Sequence, residues 1–256
     1  MADNISLLFV PGAWHGPETW SSVITVIESR KMGYKCIAVE LPSTTGDTSA
    51  GFGDDVKATQ DRIEAEIRQG RNVILVVHSY GGQVGNSAVK GYTPTSPASS
   101  SGHVIGLAMM ATGFTITGMS FLGGAGGKPP PQWTADTATG LATIVADARD
   151  MLYHDLPEEE GNSWVKRLRQ QSLKALAEGG EFAYAGWKDV PCWFLVTLQD
   201  HALPAQVQKM FVEQAQAAGA AVTLREINSS HSPMISQPQE TASFILEAAS
   251  CLAETG

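Results

Sequence analysis

Val76-Val77-His78-Ser79-Tyr80-Gly81-Gly82 decides the reading of this chain. The run Asn72 to Val77 that leads into it is short, β-branched and free of polar alternation, so it reads as a strand buried on both faces. Ser79 falls where that strand must turn sharply into a helix. Such a turn strains the serine and lifts its hydroxyl clear of the sheet, while small neighbours let helix and strand pass closely. Gly81 and Gly82 supply the smallness after the serine. Val77 stands where the pattern G-x-S-x-G has its first glycine. The stretch has the form of a nucleophile elbow, and that form points to acyl-bond chemistry.

Working outward, strand and helix patterns alternate. Ile5 to Val10 is an apolar strand, followed by the loop Pro11-Gly12-Ala13-Trp14-His15-Gly16. Pro17 to Met32 carries Trp20, Val23, Ile24 and Ile27 at helical intervals, and Gly33 suits a helix C-terminus. Tyr34 to Val39 is the next strand, Asp54 to Gln69 a charged amphipathic helix, and Val104 to Met110 a further strand. The alternation resumes with strand Cys192 to Leu198, helix Pro204 to Ala218, strand Ala221 to Ile227 and helix Gln239 to Leu252. This predicts an α/β fold: a mostly parallel, doubly wound sheet with helices on both faces.

The middle breaks the pattern. Tyr92 to Gly102, rich in Ser, Pro and Thr, reads as a polar surface loop. From Gly113 to about Gly186 no strand of the buried kind is visible. Two helical patterns, Thr137 to Leu152 and Glu158 to Leu176, flank a Gly/Pro-rich piece, Gly123 to Pro131. The expected division is a core of residues 1–112 and 187–256, with residues 113–186 inserted as a helical cap.

A serine hydroxyl needs a base to remove its proton, and the base needs an orienting acid. In parallel sheets such groups gather at the carboxyl ends of strands. The loop after Leu198 holds Asp200, and the loop after Ile227 holds His231. The order Ser79, Asp200, His231 is nucleophile, acid, base as in one group of serine hydrolases and not the others. Asp155 is the next candidate acid. His78 precedes the nucleophile and should point away from its hydroxyl, while His15, His103, His154 and His201 show no metal-ligand spacing, so no metal or other cofactor is expected. Oxyanion donors are expected from the backbone N–H groups of Tyr80 and Ala13, Gly12 allowing the close approach.

Composition narrows the partners. At 17 basic and 26 acidic residues the net charge is −9 with no Lys/Arg cluster, which argues against nucleic acid. Three widely spaced cysteines, Cys36, Cys192 and Cys251, lie among apolar neighbours and read as reduced packing residues, favouring a cytoplasmic location. No stretch is long enough to span a bilayer, and the first apolar run is too short for a signal peptide. The expected partner is a small hydrophobic molecule, bound by a monomer or homodimer.

Pro11-Gly12-Ala13-Trp14-His15-Gly16 with Trp20, His78-Ser79-Tyr80-Gly81-Gly82, Asp200 and His231-Ser232-Pro233 together resemble the α/β-hydrolase superfamily. More narrowly they resemble its branch of plant methylesterases and hydroxynitrile lyases with fungal and bacterial relatives. The resemblance spans nearly the whole chain, is weakest over the cap, and departs from the pattern at Pro11, where many relatives have histidine, and at Val77. It implies Ser79 as nucleophile, His231 as base, Asp200 as its partner, and Ala13 and Tyr80 as oxyanion donors. Hydroxynitrile lyases carry a lysine after the catalytic histidine; Ser232 stands there, so cyanide release is not expected.

For substrate contact the chain offers Trp14, Tyr80, Phe114, Met119, Phe121, Trp133, Tyr153 and Trp164 near the expected mouth. A pocket of such residues suits a hydrophobic ester, lactone or thioester. Two other readings stay open: a non-hydrolytic lyase, retro-aldol or cyclising enzyme acting on a polyketide-like molecule, and a ligand receptor on a hydrolase scaffold.

Overall fold

The computed structural model describes residues 4–94 and 102–255, so most of the polar loop read at Tyr92 to Gly102 lies outside the described residues. Nine strands are β1 (Ile5–Val10), β2 (Lys35–Ala38), β3 (Asn72–His78), β4 (Val104–Met110), β5 (Trp133–Asp136), β6 (Leu141–Ile144), β7 (Gln171–Ser172), β8 (Cys192–Thr197) and β9 (Val222–Ile227). Ten helices are α1 (Ser21–Ser29), α2 (Phe52–Ile67), α3 (Tyr80–Ala88), α4 (Phe121–Gly124), α5 (Ala148–Tyr153), α6 (Glu158–Val165), α7 (Leu173–Ala177), α8 (Ala205–Ala217), α9 (Pro233–Ser236) and α10 (Pro238–Thr255).

Six strands form one sheet in the order β2-β1-β3-β4-β8-β9. All its pairings are parallel. The continuous apolar runs are explained by helices on both faces. Along β1 and β3, Leu8, Val10, Val73, Leu75 and Val77 join the core under α2, α3 and α8. The alternate residues Ile5, Leu7, Phe9, Ile74 and Val76 join the core under α1 and α10. A period of two thus feeds two apolar cores, and neither face is left polar.

The strand order reverses between β1 and β3, because the chain leaves β1 toward β2 and returns on β1's other edge. Val10 lies opposite Val77 at the carboxyl end of that pair. The loop after β1 and the turn after β3 therefore start side by side, at the place where parallel sheets hold their ligands.

The segment between β4 and β8 is less helical than its sequence suggests. Within the expected helical pattern Thr137 to Leu152, Leu141–Ile144 is a strand pairing antiparallel with Trp133–Asp136 and with Gln171–Ser172. Gly140, at φ 71, makes the turn, and Asp136 accepts from the N–H groups of Ala138 and Thr139. Helix starts only at Ala148, where the Asp147 carboxylate caps it through Arg149 N and Asp150 N. The second expected helix is split into α6 and α7 by β7.

No helix among the described residues is long and apolar enough to cross a membrane. Cys36 is half-buried and Cys192 buried, whereas Cys251 is exposed on α10 rather than packed as expected.

Candidate active site

Ser79 lies between β3 and α3 with φ 51 and ψ −125, a conformation a side chain adopts only under strain. Among the described residues four non-glycine residues have positive φ, and three of them, Trp14, Ser79 and Ala111, follow the carboxyl ends of β1, β3 and β4. Strain is concentrated on the rim where the switch point opens.

The glycine after the elbow is dictated by contact. A Cβ at Gly81 would stand 2.3 Å from the Pro11 carbonyl oxygen, so only glycine lets α3 start against the β1 loop. Val77 is accommodated from the far side: a Cβ at Gly85 would lie 2.4 Å from Val77 Cγ1. The missing first glycine of the pattern is thus replaced by a glycine one turn along α3, and the elbow keeps its backbone path.

Tyr80 is the first residue of α3, so its N–H has no acceptor within the helix. The Ala13 N–H also has no partner among the described residues. Tyr80 follows Ser79 in the chain, and Gly12, the residue before Ala13, packs against the serine: a Cβ there would be 3.1 Å from Ser79 Cβ. Two unclaimed donors beside a strained serine form an arrangement that can hold developing negative charge.

Asp200 and His231 meet, although they are 31 residues apart. His231 Nδ1 lies 2.8 Å from Asp200 Oδ2, with both side chains almost fully buried. The loops that carry them are laced together by Leu198 N–H to Ile227 O and Gln199 N–H to Ser229 O. Four further donors surround the carboxylate. Ala202 N–H and Leu203 N–H donate to Oδ1, and Thr197 Oγ1 and Gln208 Nε2 donate to Oδ2. Burial alone would push this carboxyl up, but the His231 ring and these donors hold it below the usual carboxylate range. When His231 Nδ1–H donates to Asp200, the Nε2 atom of the neutral ring carries the lone pair.

His78 connects this pair to the elbow. Its Nε2–H donates to the His231 carbonyl at 2.8 Å, and the two rings lie 4.8 Å apart. Burial, then the nearby His231 and His15, hold His78 well below the usual histidine range, so it stays neutral and acts as scaffold. No hydrogen bond joins Ser79 Oγ to His231 among the described residues. Asp155 lies near this pair: its Oδ2 accepts from Ser230 N–H, one residue before His231.

The sequence profile of the alpha/beta hydrolase family matches residues 7–244. The chain belongs to that family. It is 27% identical over 247 residues to the alpha/beta hydrolase nvfD of Aspergillus novofumigatus, covering 95% of this chain and 96% of that one. It is 24% identical over 263 residues to Methylesterase 1 of Arabidopsis thaliana, covering 94% and 95%. The crystal structure of tomato Methylketone Synthase I complexed with 2-tridecanone superposes with a TM-score of 0.76 at 19% identity, over 97% of this chain and 99% of that one.

The hydrolase places the expected mouth residues unevenly. Tyr80 and Tyr153 are buried, 0% and 1% exposed. The Tyr80 hydroxyl donates to Asp55 at 2.6 Å, and the Tyr153 hydroxyl lies 2.6 Å from His15 Nε2. His15 donates its Nδ1–H to Ala13 O, so Nε2 is the acceptor; burial drops its pKa to about 4 and keeps it neutral. Phe114 is stacked on Phe194 and edge-on to Trp187, a packing role. Trp133 is buried edge-on against Trp14, and Trp164 lies under the Arg167 guanidinium. Trp14 and Phe121 remain half-buried at the rim, and Met119 is the more exposed.

Trp14 also binds the inserted segment to the β1 loop. Its indole N–H donates to Ala142 O, its carbonyl accepts from Arg169 N–H, and its own N–H donates to Gln171 Oε1. Arg169 in turn pairs with Glu18 and Glu40. An open hollow of about 370 Å³ beside that cluster is lined by Glu40, Thr44, Thr45, Gly46, Arg169 and Gln170. It contains neither Ser79 nor His231, and its one cation is already neutralised. Sequence reasoning missed Gly85, Thr197, Gln208, His15 and Asp55. Only Gly85 had a local signal, in the spacing Gly81-Gly82-x-x-Gly85.

Proposed function

We propose that this enzyme is a serine hydrolase that cleaves a small to medium hydrophobic ester, lactone or thioester through an acyl-enzyme on Ser79. The observation that carries the reading is the buried Asp200–His231 pair, 2.8 Å apart, held by His78 next to a strained Ser79. His231 Nε2 takes the Ser79 hydroxyl proton as Oγ attacks the carbonyl carbon. The oxyanion is received by Ala13 N–H and Tyr80 N–H, and His231 returns the proton to the leaving oxygen or sulfur. Water then enters and adds to the acyl carbon as His231 takes its proton, and the acid leaves as His231 returns that proton to Ser79 Oγ. The Ser79–His231 hydrogen bond closes as substrate docks, since such contacts are commonly long in the empty enzyme.

In this reading residues 113–186 cap a core of residues 1–112 and 187–256, and Trp14 and Phe121 line the entrance. The ester preference is supported by the relative named Methylesterase 1. A second reading uses the same residues without hydrolysis, and the fold shared with a protein named Methylketone Synthase I favours it. The acidic balance of the chain and the lack of any basic cluster disfavour strongly anionic substrates and nucleic acid in either reading.

The test is intact mass after treatment with a fluorophosphonate, comparing wild type with Ser79→Ala, alongside turnover of a series of p-nitrophenyl esters. One adduct on the wild type only, with ester turnover, supports the hydrolase. An adduct without turnover of any ester moves the non-hydrolytic reading ahead. No adduct on folded protein sinks both.

A further inference from the structure

The reaction proposed above leaves the buried carboxylate of Asp55 without a task. Asp55 lies on α2, away from Ser79 in sequence, yet it is 0% exposed, and among the described residues no cation pairs with it. Its Oδ1 accepts from Ser43 N–H at 2.9 Å; its Oδ2 accepts from Ser43 Oγ at 2.6 Å and from Tyr80 Oη at 2.6 Å. A carboxylate is acceptor-only, so it fixes the direction of every bond around it. The Ser43 hydroxyl, having donated its proton to Asp55, is left as an acceptor and receives Gln171 Nε2–H at 3.0 Å. That orientation turns the Gln171 carbonyl toward the Trp14 N–H, 3.2 Å away. Asp55, Ser43, Tyr80 and Gln171 are all fully buried.

The two ends of this network are the two halves of the proposed oxyanion hole. Tyr80 supplies one backbone donor, and Trp14 is peptide-bonded to Ala13, which supplies the other. Trp14 needs holding, because it is a non-glycine residue at φ 61. We propose that Asp55 is a positioning residue that holds the Tyr80 and Ala13 N–H donors in register, through the Tyr80 hydroxyl on one side and through Ser43, Gln171 and Trp14 on the other. The inference rests on the hydrolase reading of Ser79. Because Gln171 belongs to β7, the hole is complete only when the inserted segment is docked on the core. Burial holds the Asp55 carboxyl above the usual carboxylate range, an effect that the Ser43 and Tyr80 donors offset only in part.

The experiment compares wild type with Asp55→Asn, Tyr80→Phe, Gln171→Leu and the double variant Asp55→Asn/Tyr80→Phe. Each is measured for kcat and KM on p-nitrophenyl butyrate, fluorophosphonate labelling rate and thermal midpoint. Ile63→Ala, a buried packing change on the same helix, serves as the control for general softening. Displacing donors by a fraction of an ångström costs on the order of 10–100-fold. Asp55→Asn is expected to lower kcat and labelling rate by that factor, with KM within about twofold. Tyr80→Phe and Gln171→Leu should each lower kcat by roughly 3–10-fold. If Asp55→Asn fails to fold, these two carry the test. Tyr80→Phe should cost nothing further in the Asp55→Asn background, since the pair acts through one bond. Ile63→Ala should lower the thermal midpoint and leave kcat unchanged. Wild-type kcat in the folded variants, full additivity in the double variant, or an equal kcat loss in Ile63→Ala would overturn the proposal while leaving Ser79 reactive. A wild type that neither labels nor turns over would overturn the hydrolase reading, and this inference with it.

Discussion

Val77 and Gly85 fit each other across the strand–helix interface: a methyl group placed at Gly85 would sit 2.4 Å from Val77 Cγ1. Strand β3 can therefore carry a branched residue two positions before Ser79 because α3 has no side chain at the facing position. Gly85→Ala should destabilise the protein by about 1–3 kcal/mol through overpacking, read by denaturant titration. In a Val77→Gly background the same substitution should cost much less. Equal costs in both backgrounds would mean that the two positions do not share the space.

The roles proposed for Ser79, Asp200 and His231 differ in how much activity survives their loss. Ser79→Ala and His231→Ala should each lower kcat by at least about 10⁴-fold with folding intact, because the oxyanion donors remain. Asp200→Asn should retain more activity than either, since it disturbs the base without removing it. Full activity in Asp200→Asn would require another acid, and Asp155, already bonded to the backbone of Ser230, would be examined next.

Gln208 and Thr197 hold the acid and touch nothing that reacts. Gln208 Nε2 donates to Thr197 Oγ1 as well as to Asp200 Oδ2, so the carboxylate is fixed from α8 and from β8 together. Gln208→Met should lower kcat by roughly 3–30-fold with KM little changed, a smaller loss than Asp200→Asn. A larger loss than Asp200→Asn itself would show that Gln208 supports more of the fold than the acid alone.

His15 makes stability depend on pH in a definite direction. Its folded pKa is about 4 against 6.5 in the unfolded chain, because burial disfavours the charged ring. The folded state therefore binds fewer protons than the unfolded state between these values. Stability is intact above pH 6.5 and is lost as pH falls toward 4. The gap corresponds to about 3 kcal/mol, at roughly 1.4 kcal/mol per pH unit. His78 is shifted the same way and adds to the loss. His15→Gln should flatten the slope of stability against pH in this window by about one proton. An unchanged slope would mean that His15 is charged in the folded enzyme.

The alternation of apolar runs and amphipathic segments was enough to predict a parallel sheet covered on both faces. Ser79, Asp200 and His231 could be picked out because each follows such a run, in a turn built from small or polar residues. Those signals are local: periodicity and turn chemistry act over a few residues. The helical reading of 137–152 failed for the opposite reason. Strand β6 is stabilised by partners at 133–136 and 171–172, and β7 is only two residues long, too short to carry any period.

Sequence alone determined the sheet, the elbow and the order of the three expected catalytic residues, because each is written in neighbouring side chains. Tertiary structure alone decided which polar residues are buried together. Asp55 lies in a helix that reads as charged and amphipathic, and only the arrival of Ser43, Tyr80 and, beyond them, Gln171 makes its carboxylate a hub. The Tyr80 hydroxyl meets that carboxylate for the same reason. A buried charge is tolerated only where several donors converge, and convergence of residues 43, 55, 80 and 171 is a property of the packed chain.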